Sequence, residues 1–329
     1  MLKSKFKTSP TRYYAMSIAA TWANAGSLLN GISIARNDGM IPYILWALGN
    51  TLACILFGLL APRIPRLRDV AGSRIMKLVM GIMCPFQCWI SMNGIETVFA
   101  ETEFGSETGI NIAIAFAALF ILMLFSYGMI RNILTDHISW TIVYAVVFTL
   151  AAVTLITARG NTNILHLGAE NISSGIKNCL LLIPGAFLYP YYYEILNYND
   201  SNVDGTRSVN VRQAFVRGGL VFGLYLVGIA LLSLVNFGPV LSFVKAVLVT
   251  LIAISSLSSF QYSLYIIFGR NLGLVLNILT LFLWRKLIPL GVMGAWTLMA
   301  SIRIYIVAGA LAAAFVWHII DRRREVKVV

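Results

Sequence analysis

Residues 17–39 read "SIAATWANAGSLLNGISIARNDG". A helix that crosses the hydrocarbon of a bilayer is an apolar run of about 20 residues. Yet Thr21, Asn24, Gly26, Ser27, Asn30, Gly31 and Ser33 crowd this one crossing. Small residues alone would fit a close helix–helix seam, and Gly49/Ala53 and Gly219/Gly223 are read as seams of that kind. Packing does not call for Asn24 and Asn30, whose amides need partners when buried. Irregular backbone at membrane depth survives only where protein or a water-filled cavity satisfies it. The stretch therefore predicts an interrupted span.

The rest of the chain supplies the membrane setting. Of 329 residues, 59% are hydrophobic and 12% charged, against about 25% charged in soluble domains. Ten apolar runs follow one another: 14–36, 40–61, 75–96, 109–130, 137–158, 176–197, 212–235, 240–268, 271–289 and 295–320. The ninth is the weakest, because Trp284-Arg285-Lys286 and Pro289 crowd its end. The N-terminal MLKSKFKTSPTRYY is basic but leads into a full span without an A-x-A site, so it is not read as a signal peptide.

Lys and Arg set the orientation. With the N-terminus (1–13) inside, eighteen of them fall on the cytoplasmic side, among them Lys3, Lys5, Lys7, Arg63, Arg66, Arg68, Arg131, Arg207, Arg270 and the tail (321–329). Arg36, Arg159, Lys177, Arg285 and Lys286 fall outside, where Glu96, Glu101, Glu103 and Glu107 also lie. Both termini are expected in the cytoplasm, in a multi-pass protein of the cell (inner or plasma) membrane. The net charge of +12 is dispersed over short loops, so the expected surroundings are the lipid bilayer and not nucleic acid.

Ten spans divide into two sets of five, 14–158 and 176–320, and an odd number per set inserts the second set upside down. Inverted repeats of this kind build secondary transporters, whose sites form at broken helices near the midplane. The first and sixth spans should then both be damaged. The sixth, "NCLLLIPGAFLYPYYYEILNYND", carries Pro184-Gly185 and Pro190, which remove two backbone donors and break the helical ladder.

Five segments extend this reading. "AATWANAGSLLNGISIARNDG" is similar to A-T-W-x-x-A-x-S followed by a Gly-rich stretch; "LFGLLAPRIPRLRDV" to A-P-R-x-x-R; "FSYGMIRNILTDHISWTIVYAV" to G-G-x-x-A-V-x-W-T-D-x-x-Q. "PYYYEILNYND" resembles P-x-x-Q-R-x-L-A-A-K-D, and "LIAISSLSSFQYSLYIIFGRNL" resembles A-A-I-M-S-T-A-D-S with a following D-L-Y. In this order, from residue 17 to about 272, they resemble the sodium/solute symporter family of sodium-coupled sugar, proline and pantothenate transporters, of which this chain looks like a shortened member. The resemblance implies an all-α integral membrane protein of ten transmembrane helices, with the leucine-transporter (LeuT) type five-plus-five inverted repeat broken in helices one and six. It also implies Na+ as coupling ion, held by the carbonyls of Ala20, Ala23 and Ile252 and the hydroxyls of Ser255 and Ser256. Asp136 matches the family's aspartate near the ion's inner exit. The chain departs from the family at Tyr193-Glu194, at Asn197-Tyr198-Asn199-Asp200 and at Ser258, where the family often has aspartate.

The residues also carry readings of their own. A hard monovalent cation wants several oxygens and no soft atoms. Ser255 and Ser256 stand about 100° apart on a helix, so sharing one ion depends on local geometry, and a serine in a membrane helix otherwise bonds its own i−4 carbonyl. Asp136 is either an intramembrane functional carboxyl or a boundary residue in a surface pair with Arg131. Lys245 and Arg303 lie inside spans and correspond to no shared family function; they are read as outer-cavity residues or anchors. Candidate solute-pocket residues around the two breaks and the facing third span are Asn24, Ser27, Leu28, Gln87, Ser91, Phe187 and Tyr191. Tyr191, Tyr192 and Tyr193 equally fit interfacial anchoring. Cys84 and Cys88 share a helix face, but no second Cys/His cluster makes a metal site of them.

The expected function is sodium-coupled symport of a small organic solute by alternating access. No cationic cluster marks an anion pocket, so the expected solute is neutral or zwitterionic. No HExxH, paired-carboxylate or nucleotide-binding constellation points to an enzyme. Two alternatives stay open: a non-transporting sensor or assembly subunit on the same scaffold, and proton coupling through Asp136.

Overall fold

A computed structural model describes residues 10–123, 128–157, 165–198, 210–234 and 238–326. The N-terminal lysines, Phe125-Ser126-Tyr127, Arg159, Asn199-Asp200, Arg207 and the tail from residue 327 lie outside the described residues. Those described form helices and no strand. In chain order these are α1 (Pro10–Trp22), α2 (Ala25–Ser33), α3 (Met40–Leu60), α4 (Leu67–Gly72), α5 (Arg74–Ala100) and α6 (Gly105–Met123). There follow α7 (Met129–Thr157), α8 (Ile172–Leu182), α9 (Pro190–Tyr198), α10 (Val211–Ser233), α11 (Pro239–Leu283) and α12 (Gly291–Val326).

Seven of these helices are long and apolar enough to cross a membrane, or eight if a pair bent by 51°, Ala169–Leu188 with Pro190–Asn197, is one span. The sequence shows ten apolar runs, and the difference has two causes. The first run is split into helices of 13 and 9 residues, each too short alone. The runs 240–268 and 271–289 join in one 45-residue helix that kinks at Gly269, whose φ of 74° only glycine adopts readily. The crowded end of the ninth run becomes a 3-10 segment, Trp284–Leu290.

Both interruptions follow from local chemistry. Asn24 is extended (φ −128°, ψ 174°), and its side chain does not cap α2. In the second, a 3-10 turn (Ile183–Leu188) runs to Tyr189, also extended (φ −99°, ψ 102°). That conformation is the one a residue before proline prefers, and Pro190 then opens α9 without needing a donor.

Packing around the breaks uses small residues. α3 packs extensively on α10 and on α8. A Cβ at Gly49 would come within 2.7 Å of Cys179 backbone, and one at Gly219 within 2.8 Å of the Thr51 carbonyl. The glycine seams are therefore real contacts between helices. Gly94 of α5 likewise admits Ala25, just after the first break, where a Cβ would stand 2.3 Å from the Ala25 methyl. Trp140, Tyr191, Tyr192, Phe57 and Phe215 are fully buried, while Ile75, Leu122, Ile156, Val240 and Phe282 stand on the outside. An outer face this apolar suits lipid.

Candidate functional site

The two interruptions meet. Tyr189 Oη donates to the Thr21 carbonyl at 2.6 Å, and Tyr192 Oη donates to the Ile18 carbonyl at 2.9 Å. Their rings lie 6.1 and 6.5 Å from that of Trp22. Tyr191, Tyr192 and Tyr193 are all buried, so interfacial anchoring does not describe them. These hydroxyls satisfy carbonyls at the end of α1, where helical donors run out. Ala23 N–H bonds the Ala19 carbonyl at 3.2 Å. Beyond that rung, Tyr189 takes Thr21, and the carbonyls of Ala20 and Ala23 keep no hydrogen bond among the described residues.

The other proposed cation ligands are arranged differently. Ile252, Ser255 and Ser256 lie in an unbroken part of α11 and are fully buried. The Ile252 carbonyl thus has only its second lone pair to offer. Ser255 Oγ lies 2.9 Å from Ser139 Oγ on α7, whereas Ser256 Oγ lies 2.7 Å from Ser91 Oγ on α5. The two hydroxyls turn to different helices. Ser258 donates to Asn132 Oδ1 at 2.9 Å, closing a further α7–α11 link.

Asp136 is fully buried, which removes the surface-pair reading. Ser17 Oγ donates to its Oδ2 at 2.5 Å, and Tyr191 Oη sits 3.0 Å from Ser17 Oγ. Ser139 donates to the Asp136 carbonyl at 3.2 Å and contacts Ser255, so α1, α7, α9 and α11 converge here. Oδ1 of Asp136 has no hydrogen-bond partner, and among the described residues no basic side chain pairs with the carboxyl. A carboxyl buried in that position is either protonated or met by a cation from elsewhere.

A second centre opens on the other flank of the break, a cavity of about 20 Å³, room for roughly one water. Of the solute-pocket residues expected from sequence, Asn24, Ser27 and Gln87 line it. The Asn24 and Gln87 amides touch at 3.1 Å. Ser27 Oγ donates to the Asn24 carbonyl at 2.7 Å, which steadies the first turn of α2. The other four lie elsewhere. Leu28 is packed in the core, Ser91 bonds Ser256, Tyr191 joins the Asp136 group, and Phe187 packs on Phe57 at 5.3 Å beside a separate small void.

Sequence reasoning left the cavity's charged member out of the solute pocket, reading it only as an outer-cavity residue or anchor. Arg303 of α12 is 6% exposed and borders the cavity together with Trp22, Asn30, Asn50 and Tyr189. Its guanidinium abuts the Gln87 amide, whose oxygen lies 3.1 Å from Nη1 when the amide is turned toward it. Gly185 makes room for it: a Cβ there would stand 3.2 Å from Nη1 and 2.9 Å from the Trp22 ring. The only signal in the sequence was a lone arginine inside an apolar run. Lys245, the other such cation, is paired with Glu101. Among the described residues no three His, Cys, Asp or Glu cluster as a metal site.

No family model and no curated protein matches the sequence. Among solved structures, the chain is similar to a manganese transporter of Eremococcus coleocola, in complex with an aromatic bis-isothiourea substituted compound. The identity is 15% over 93% of this chain and 78% of that one, with a TM-score of 0.45.

Proposed function

We propose that the chain is a secondary transporter that moves a small organic solute by alternating access, coupled to sodium. The observation that carries this reading is the joining of two interrupted helices, with Tyr189 on the Thr21 carbonyl and Tyr192 on that of Ile18. Broken helices that face each other are where such transporters form solute and ion sites. Counting Pro10–Ser33 as one interrupted span, and the helix on either side of Gly269 as two, brings eight spans to ten, the number a five-plus-five inverted repeat requires. Sodium would take the carbonyls of Ala20 and Ala23, which lie off the ladder, with Ile252, Ser255 and Ser256 opposite. The solute would take the cavity lined by Asn24, Ser27 and Gln87. Coupling requires the ion to bind one state of the protein more tightly than the other, and α1 touches both places. The orientation with both termini in the cytoplasm belongs to the same reading.

One observation favours a second reading, proton coupling. Asp136 is buried, bonded to Ser17 and without a basic partner, so a proton would neutralise it as well as a metal cation would. Reconstituted vesicles separate the two. A radiolabelled solute panel is offered under a sodium gradient, a proton gradient or neither, to wild type, Ser255→Ala/Ser256→Ala and Asp136→Asn. Sodium-driven uptake that falls at least tenfold in the double serine variant supports the sodium site. Sodium-independent uptake, equal in wild type and the serine variant, removes it. Loss of proton-driven uptake in Asp136→Asn establishes the proton reading. Solutes that bind without being carried overturn transport in favour of a sensor or assembly subunit.

A further inference from the structure

We infer that Arg303 recognises a carboxylate, so that the solute is a small organic acid or amino acid whose carboxylate meets this guanidinium in the cavity at the first break. The inference rests on reading that cavity as the solute site, and it narrows the expected neutral or zwitterionic solute to one that carries a carboxylate.

Three independent features point the same way. The guanidinium is buried and always charged. Even so, among the described residues no carboxylate lies within ion-pair distance of it, and its Nε has no hydrogen-bond partner. Among the described residues it meets one neutral amide oxygen, that of Gln87 with the amide turned toward it. An unpaired buried charge is costly unless something else supplies the opposite sign, and this chain does supply it for its other cation inside a span, pairing Lys245 with Glu101. The remaining polar walls are also neutral: Asn24, Asn30 and Asn50. Finally, α2 begins at the cavity, with Gly26 in its wall. The first two N–H groups of α2, at Ala25 and Gly26, have no acceptor among the described residues, and the Asn24 side chain leaves them uncapped. Helix N-termini favour anions through those free N–H groups and the dipole. Here that preference adds to a buried arginine instead of standing alone.

The geometry suits a carboxylate better than a point anion. A guanidinium offers a planar fork that matches two carboxylate oxygens, and Nε together with one terminal nitrogen forms such a fork. The carboxylate would displace the Gln87 oxygen, whose amide then returns to Asn24. The rings of Trp22, Trp46, Trp296 and Tyr189 also line the cavity. It holds about one water as it stands, so it must widen to admit the solute, and those rings favour a compact apolar body behind the carboxylate.

The test is thermal unfolding of the purified, detergent-solubilised full chain in sodium-free potassium buffer, so that its outcome is independent of the cation site. The probes are acetate, lactate, L-alanine, L-proline and benzoate, each beside its amide. At least one acid should raise the Tm of wild type while its amide does not. Arg303→Lys keeps the charge but loses the fork, and should weaken that binding at least tenfold. Gln87→Glu places a carboxylate within the protein beside Arg303; it should raise the Tm of the free protein and abolish the response to acids. These two variants decide the matter even if Arg303→Gln fails to fold. Amides that stabilise as well as acids, an absence of response to every acid in wild type, or an unchanged affinity in Arg303→Lys or Gln87→Glu would each overturn the inference. Acids that bind as expected but are not taken up by vesicles overturn transport and leave carboxylate recognition standing.

Discussion

Ser17 and Trp22 are five residues apart on α1, about 7.5 Å of helix rise, and they border a buried carboxyl and a buried guanidinium. Ser17 holds Asp136 by a 2.5 Å hydrogen bond, while Trp22 lines the cavity that Arg303 enters. The acid and the base do not neutralise each other. Each is met by neutral hydroxyls or amides, and each keeps one polar atom, Asp136 Oδ1 and Arg303 Nε, without a hydrogen-bond partner. A fold selected for stability alone would pair such groups or replace them with apolar side chains. On the function proposed above, the two centres would be completed from outside the chain, one by a cation and the other by an anion. Both centres border the same helix, α1.

The sharpest way to break this contrast is Asp136→Asn, which preserves shape and removes the charge. Removing one partner of a buried charge pair is worth about 3–5 kcal/mol. Cation-dependent stabilisation should therefore fall by roughly a hundredfold or more in affinity, measured by thermal shift against cation concentration, while the carboxylate response persists. Loss of both responses together would mean that the two centres are one. Next in size is the comparison of Ser255→Ala with Ser256→Ala. Ser255 is wired through Ser139 to the Asp136 group, whereas Ser256 bonds Ser91 and the Ala253 carbonyl of its own helix. The first variant should weaken the cation response about tenfold, equivalent to about 1.4 kcal/mol, and the second by less; equal losses would show both hydroxyls acting on one ion.

A smaller effect is expected at the other centre. Gly185→Ala puts a methyl 3.2 Å from Arg303 Nη1 and 2.9 Å from Trp22. Overpacking of this kind costs about 1–3 kcal/mol, and it should weaken carboxylate binding and leave the cation response intact. The smallest is Tyr189→Phe. It deletes the 2.6 Å bond to the Thr21 carbonyl, worth about 1 kcal/mol, and should lower Tm slightly while shifting both responses, because it loosens the joint between the breaks. An effect confined to one response would show that α1 does not link them.

How much of this was legible beforehand differs residue by residue. Pro184, Pro190 and the Asn24–Gly26 stretch act on their own backbone, so both breaks could be placed from sequence. Gln87 was found because a polar amide in an apolar helix face is conspicuous. Asp136 was ambiguous because Arg131 and His137 stand beside it in sequence; its burial and its bond to Ser17 join residues 119 positions apart. The tyrosines after Pro190 look interfacial in composition, yet they point inward to carbonyls that the first break has freed. Adjacent Ser255 and Ser256 invite a shared ligand role, and their opposite bonding depends on which helices flank α11.

By itself the sequence determined an all-helical, lipid-suited chain with interruptions near residues 24 and 184–190, because hydropathy, proline geometry and a crowd of small and polar residues are local properties. Only the tertiary structure decided that the two interruptions touch, that Lys245 finds an acid, and that among the described residues neither Arg303 nor Asp136 has a partner of opposite charge. Whether a charge is paired depends on distances between segments remote in the chain, and those exist only once the helices have packed.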